Sequence, residues 1–184
     1  MLFVAAAPAE PTGVEHLDAT AIFQSEFGYV WSTLRRLGVH ERDLEDMAHE
    51  VFVRVHEQLP LFDPSRPLRA WLFGISLGIA TNYRRLARHR LDLMGEPPEV
   101  VDLARPADEG LEHLQQAELV HAALAKVSLE QRAVLVLHEL DGYAIPEVAT
   151  TLGLSLNTAY SRLRLGREAF RQAFRRLAAQ KGWR

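Results

Sequence analysis

The chain has 184 residues, 48% of them hydrophobic, which is enough to bury one core or two small ones. It contains no cysteine, which excludes disulfides and Cys-ligated zinc and suits a reducing cytoplasm. The net charge of −3 is unevenly distributed: residues 1–63 carry 4 basic and 11 acidic side chains, whereas residues 64–91 carry 6 basic and none acidic. After a second acidic segment, residues 121–184 carry 10 basic and 5 acidic side chains. This alternation predicts two surfaces that face polyanions.

No segment of the sequence predicts membrane insertion. The most apolar run, residues 71–80, is too short to cross a bilayer. The run at residues 2–7 is brief and lacks the preceding positive segment of a signal peptide. Residues 1–17 contain Pro8 and Pro11 and are interpreted as a disordered tail. We therefore expect a cytoplasmic protein.

The first half of the chain predicts three helices. The first runs from about Asp18 to Leu37 and is stopped by Gly38. Its apolar residues are expected to lie in the core: Ile22, Phe23, Phe27, Val30, Trp31 and Leu34. The third helix begins near Pro67, which the first turn of a helix tolerates. It ends in a cluster richer in arginine than capping requires: Arg84, Arg85, Arg88, His89 and Arg90.

The second helix, from Glu41 to Leu59, has an apolar stripe on one face and acidic residues on the other. Asp43, Asp46, Glu50 and Glu57 fall along one line, with Val53 exposed among them. Like charges at this spacing cost about 0.2–0.5 kcal/mol per pair, so local stability does not explain the arrangement. A partner-binding surface and a solvated acidic face are both compatible with it.

Residues 93–110 are rich in proline and acidic residues, lack periodicity and are interpreted as a flexible linker. A helix from about Leu111 to Lys126 follows, and then a capping box that begins at Ser128 opens another helix, ending near Gly142. The predicted fold is therefore all-α, with two small helical domains at residues 18–92 and 111–184.

Residues 142–174 predict a helix-turn-helix. Gly153 supplies a left-handed turn position, and Ser155 offers a hydroxyl to cap the second helix. An apolar face is predicted for Leu156, Ala159, Leu163, Phe170 and Phe174.

The opposite face of that helix is small, polar and basic, which suits contacts with base edges and phosphates in the major groove. An ordinary amphipathic hairpin with a solvated polar face is the alternative. The candidate DNA-binding residues are Ser155, Asn157, Thr158, Tyr160, Ser161, Arg162, Arg164 and Arg167.

The chain resembles the extracytoplasmic-function class of small bacterial sigma factors. The sequence DLEDMAHEVF at residues 43–52 resembles part of their first conserved domain, as do Phe62-Asp63, the LRAWL at residues 68–72 and Tyr83-Arg84-Arg85. Residues 124–167 resemble the second conserved domain. The similarity extends from about Ala21 to Phe174, in the right order and with a linker between.

The resemblance implies core RNA polymerase and promoter DNA as partners, without a cofactor, a metal or catalysis. The acidic helix would bind the clamp coiled-coil of polymerase through Asp43, Asp46, His49, Glu50 and Phe52. The third helix would face the minus-10 promoter element through Arg69, Trp71, Asn82, Arg84, Arg85 and Arg88. The second domain would read the minus-35 element as duplex and contact the polymerase flap. An anti-sigma factor is a further implied partner.

The sequence departs from the family pattern at several positions. His49 stands where relatives often have Gln, which would alter that polymerase contact or make it pH-sensitive. Gly74 and Leu77 stand where relatives commonly carry arginine, and Gly78 stands where they carry asparagine. Each of the two glycines costs about 1 kcal/mol relative to alanine in a helix. Ala144 replaces a capping hydroxyl and Pro146 follows it, so we expect the first turn of that helix to be weaker by roughly 1 kcal/mol.

The sequence leaves two alternative functions to compare with this one. A stand-alone helix-turn-helix regulator would bind duplex DNA without polymerase. An enzyme is disfavoured, because His49-Glu50 lacks the second histidine that a zinc-protease helix needs. The sequence also has neither a Gly-rich phosphate loop nor an evident nucleophile.

Overall fold

The computed structural model describes residues 18–94 and 111–180, and within these ranges the chain is helical without strands. The first domain contains α1 (Ala19–Leu37), α2 (Leu44–Gln58) and α3 (Leu68–Met94). Short 3-10 turns at Glu41–Asp43 and Leu59–Leu61 flank α2. The second domain contains α4 (Leu111–Ala125), α5 (Leu129–Leu135), α6 (Ile145–Thr151) and α7 (Leu156–Gln180), with a π-helical turn at Val136–Leu140 after α5. The predicted all-α, two-domain class is confirmed, while the predicted tail and most of the linker lie outside the described residues.

The first domain is a three-helix unit in which α1 packs on α2 and α3. Asp18 caps α1 by accepting a hydrogen bond from the amide of Thr20 at 3.2 Å. Gly38 ends the helix with a left-handed φ of 94°. Leu34 and Leu37 are fully buried with apolar residues of α2 and α3. Burying a leucine side chain stabilises the fold by about 1.5–3 kcal/mol, so the apolar stripes hold this domain together.

The aromatic residues of α1 differ from the prediction at one position. Phe23 is 38% exposed rather than part of the closed core. Its ring lies edge-on to Phe52, with ring centroids 4.8 Å apart, and tilted against Phe27 at 5.3 Å. Phe23 is near the start of α1, and these two rings leave part of its side chain exposed to solvent.

The second domain is built around α7, which packs on α4, α5 and α6. Ser128 caps α5 by accepting a hydrogen bond from the amide of Gln131 at 3.4 Å, as predicted. Gly166 of α7 approaches α5 closely, because a Cβ atom there would lie 3.2 Å from the carbonyl oxygen of Gln131. The two helices therefore touch through backbone at this point.

The helix-turn-helix consists of α6, a turn at Gly153 with φ of 62°, and the start of α7. The expected weakness at the start of α6 is partly compensated, because the carboxylate of Glu147 accepts a hydrogen bond from the amide of Ala144 at 2.7 Å. Pro146 lies in the first turn, where its missing N–H group would have had no partner within the helix. Glu147 thus supplies one of the two hydrogen bonds of a capping box, and the other, from the Glu147 amide to a side chain at position 144, cannot form with alanine there.

Candidate nucleic-acid and polymerase interfaces

The start of α7 presents short polar side chains to solvent. Asn157, Ser161 and Arg164 are exposed at positions four and three residues apart, which places them on one face of the helix. Tyr160 is 54% exposed beside them. No other described residue covers this face, so the start of α7 is free to enter a DNA groove.

Ser155 and Thr158 are already engaged with each other at the helix start. The Ser155 hydroxyl accepts a hydrogen bond from the Thr158 amide at 3.1 Å, and the two hydroxyl oxygens lie 2.8 Å apart. The prediction for Leu156 was wrong: it is 46% exposed, because it is the first residue of α7 and precedes the turn that packs on the core. Ala159 and Leu163 begin the buried face.

The arginines of α7 fall into two groups. Arg167 is turned toward its own domain, where its Nε donates to the carboxylate of Glu139 at 2.6 Å, and Arg162 is half-buried. Arg164 is exposed and lies 4.0 Å from Glu168. The sequence-based site omitted Arg171 and Arg175, which are exposed and follow Arg164 at seven and eleven residues. That helical spacing is the signal that would have identified them, since it continues the face of Asn157 and Arg164.

The residues assigned to the minus-10 element differ in their surroundings. The Arg69 side chain donates to Glu26 at 2.8 Å and lies over the ring of Tyr29, 5.2 Å from its centroid. The hydrogen bond to Glu26 and its charge raise the pKa of Arg69. Trp71 packs against Phe62, with ring centroids 4.7 Å apart.

Further along α3, the candidate residues become more exposed. Asn82 accepts a hydrogen bond from Arg85 at 3.0 Å, and both are exposed. Arg84 is half-buried. The side chain of Arg88 lies outside the described part of the chain.

A cleft of about 830 Å³ lies between α2, α3 and α6. Trp71 and Asn82 of α3 line it, together with Gly74 and Gly78. A Cβ atom at either glycine would meet nothing within 4 Å. The glycines therefore leave open space where larger side chains would stand, and the cleft brings Trp71 and Asn82 to one surface.

The acidic face of α2 is only partly available to a partner. Asp46 and His49 are exposed, Glu50 is half-buried at the edge of the cleft, and Val53 is exposed as predicted. The carboxylate of Asp43 accepts a hydrogen bond from the Tyr83 hydroxyl at 2.7 Å. Burial and the neighbouring Asp43 raise the pKa of Tyr83 to about 12.

Phe52 was assigned to polymerase binding, but its side chain is buried. It belongs to the aromatic cluster with Phe23 and Phe27, because it lies at the edge of the apolar stripe that faces α1. Its position supports a role in the core of the first domain. The remaining assignments on α2 stay predictions.

Comparison with known proteins identifies the family of the chain. The model of sigma-70 region 2 matches residues 22–90, and that of sigma-70 region 4 matches residues 117–170. The ECF RNA polymerase sigma factor SigE of Mycolicibacterium smegmatis is 30% identical over 175 residues, covering 88% of this chain and 67% of SigE. The RNA polymerase sigma factor CnrH of Cupriavidus metallidurans is 34% identical over 137 residues, covering 70% of this chain and 72% of CnrH. The chain belongs to the ECF sigma factors.

Solved structures agree with this membership. A sigma factor RpoE in complex with the anti-sigma factor NepR, from Bartonella quintana, has the same fold, with a TM-score of 0.69, 22% identity and coverage of 85% of this chain and 96% of that one. CnrH in complex with the cytosolic domain of CnrY has a TM-score of 0.57 and 27% identity, covering 84% of this chain and 85% of that one. CnrH in that structure is bound to another protein, so this likeness does not favour a stand-alone regulator.

The described residues of the sigma factor contain neither a membrane-spanning helix nor a metal-binding cluster. No helix there is both long and apolar enough to cross a membrane. Across the same residues, no cluster of three or more His, Cys, Asp or Glu side chains has an arrangement that could hold a metal ion.

Proposed function

We propose that this sigma factor acts in the cytoplasm, where it binds core RNA polymerase and directs it to promoters. It would read the minus-35 element as duplex and help to open the minus-10 element. The observation that carries the proposal is the open polar and basic face of α7 on a helix-turn-helix, within a chain that also contains sigma-70 region 2. The role is to position polymerase, and it requires no covalent chemistry of this chain.

At the minus-35 element, the start of α7 would enter the major groove. Asn157 and Ser161 have the length and polarity to contact base edges, and Arg164 can contact a guanine edge or a phosphate. Arg175 lies about 16 Å further along the helix axis than Arg164, beyond the width of a groove of about 12 Å. We therefore assign Arg171 and Arg175 to phosphates that flank the bases read by Asn157 and Ser161.

At the minus-10 element, α3 would hold bases that have left the duplex. Extruding a base costs a few kcal/mol, which stacking and polar contacts recover. Trp71 offers an aromatic surface, and Asn82 with Arg85 offers hydrogen bonds at the other end of the cleft. The open space beside Gly74 and Gly78 leaves room for such a base.

Polymerase would be contacted by both domains. Asp46, His49 and Glu50 on α2 supply the acidic surface that we assign to the clamp coiled-coil. In the second domain, an apolar groove of about 520 Å³ is lined by Leu124, Leu140 and Phe170, and we assign it to the polymerase flap. By likeness to the solved complexes, we also expect an anti-sigma protein that competes for these surfaces.

Run-off transcription tests the proposal. Purified chain and core polymerase should together yield a specific transcript from a promoter upstream of the chain's own gene, and neither should do so alone. Asp46→Arg should abolish polymerase binding, whereas Arg164→Ala should leave it intact and reduce promoter choice. Tight binding of that promoter by the chain without core, and no core-dependent transcript, would instead identify a stand-alone regulator.

A further inference from the structure

A buried arginine of the second domain enters the end of a helix in the first. Arg132 of α5 is 1% exposed. Its Nη1 donates to the carbonyl oxygen of Leu37 at 2.9 Å, and its Nη2 donates to that of Val127 at 2.8 Å. Leu37 ends α1, and Val127 follows the end of α4. One guanidinium therefore satisfies carbonyl groups at the ends of two helices, one in each domain, where the helix dipoles favour a cation.

Gly38 makes room for this guanidinium. A Cβ atom at Gly38 would overlap Arg132 Nη1. Burial, and then the charge of Arg84, lowers the pKa of Arg132 to about 10, so it remains a cation at neutral pH. Burial of a cation is energetically unfavourable unless the cation is hydrogen-bonded. The carbonyl oxygen of Leu37, in the first domain, is one of the two hydrogen-bond acceptors of Arg132 described above. The cation therefore favours the docked position of the first domain.

A second buried contact joins the domains at Asp141. Its carboxylate accepts a hydrogen bond from the Tyr29 hydroxyl at 2.8 Å and another from Arg36 Nη1 at 3.1 Å. The side chain of Asp141 is only 6% exposed. Because a buried carboxylate is destabilising without partners, this contact specifies one arrangement of α1 against the second domain.

This arrangement places the helix-turn-helix next to the surface assigned to the minus-10 element. Glu147 and Thr150 of α6 line the same cleft as Trp71 and Asn82 of α3. Arg69 lies over Tyr29, which is itself bonded to Asp141. In this arrangement α6 forms one wall of the cleft, so the docked second domain limits the access of a DNA strand to α3.

We propose that the protein, when free of polymerase and DNA, is held closed by the contacts of Arg132 and Asp141 with α1, and that promoter engagement requires these contacts to separate. The second half of the proposal rests on the sigma-factor function. The closed form itself can be measured without either partner.

The chain has no cysteine, so His56→Cys and Gln172→Cys provide one dye site in each domain for single-molecule energy transfer. Both positions are exposed. The free protein should show one high-transfer population. In Tyr29→Phe/Arg36→Met, Asp141 loses both partners, and the ratio of closed to open molecules should fall at least tenfold. Unchanged helical circular dichroism would show that each domain is still folded.

Matched glycine variants separate backbone strain from loss of the contact. Gly38→Ala should also open the protein, because the new methyl group displaces Arg132. Gly153→Ala also strains a positive φ, but its methyl group would meet nothing within 4 Å, so high transfer should persist. Equal transfer in the wild type and in Tyr29→Phe/Arg36→Met would overturn the closed form.

Polymerase titration tests the second half of the proposal. A variant that is already open should bind core polymerase about tenfold more tightly, because the affinity of the wild type is reduced by its closed fraction. If the wild type is closed but binds core polymerase with the same affinity as the open variants, the second half of the proposal is wrong. Failure of the proposed function would differ from both results: high transfer would be present, but no core-dependent transcript would form.

Discussion

Arg171 and Arg175 should add to promoter binding without adding to sequence choice. They continue the exposed face of Asn157 and Arg164, beyond the turns that fit in the major groove. Each phosphate contact contributes about 0.9 to the slope of log affinity against log salt concentration. Arg171→Gln/Arg175→Gln should therefore lower the slope by about 1.8. Raising the salt from about 50 to about 200 mM should then weaken wild-type binding about twelvefold more than it weakens variant binding.

The assay is fluorescence anisotropy of a labelled promoter duplex, titrated with polymerase holoenzyme at several salt concentrations. Arg176→Gln is the matched control, since Arg176 is exposed on the same helix but projects about 100° away from Arg175. The double variant should lose similar affinity on every promoter tested. An unchanged slope, or a loss confined to one promoter sequence, would refute the assignment of these arginines to phosphates.

Three further changes test other parts of the molecule. Phe52→Ala should destabilise the first domain by about 3 kcal/mol in urea unfolding, because it removes the centre of the aromatic cluster; a stable variant that fails to bind polymerase would restore Phe52 to the interface. Glu147→Ala should cost about 1 kcal/mol by leaving the Ala144 amide unpaired, and an unchanged melting curve relative to Thr150→Ala would contradict this. Burial and the charges of Arg35 and Arg36 lower the pKa of His121 to about 4 in the closed form. His121 of an open form, with an ordinary pKa of about 6.5, takes up a proton first as pH falls. The closed form should therefore weaken as pH falls from about 6.5 toward 4. At about pH 5.5 we expect the ratio of closed to open molecules to fall roughly threefold, well below the unscreened value because His121 is partly exposed, and His121→Gln should abolish the dependence.

Asp141 opposes this pH effect. Burial outweighs its hydrogen bond from Tyr29 and the charge of Arg36, so its pKa is raised from the ordinary value of 3.8. A raised carboxyl pKa in the closed form means that protonation there favours closing as pH falls. Asp141→Asn should remove this opposing trend and leave that of His121.

Local rules were sufficient to predict the helices from the sequence. The start of α1 at Asp18, its end at Gly38 and the cap at Ser128 depend on residues within one turn, and each was predicted correctly. The exposed face of α7 also follows from helical periodicity.

Tertiary contacts explain what the sequence did not predict. Phe52 lies at the boundary between two faces of α2, and only the packing of α1 decides that it is buried. Arg132 belongs to a basic block that favours an exposed position, yet it finds its partner at Leu37, 95 positions earlier in the chain. No helical period links such distant residues, so neither the contact nor the closed form could be derived from pattern.

Gly38 cannot be replaced without disturbing the contact of Arg132 between the two domains. Asn and Asp are the non-glycine residues that most readily adopt positive φ, so either is a conservative replacement at Gly153, where the space around the glycine is open. At Gly38 neither would be conservative, because any side chain would overlap Arg132. In a saturation library scored for the closed form, position 38 should accept glycine alone, while position 153 should accept a small set of residues. Mutational tolerance would then identify a junction between domains at a residue that has no side chain.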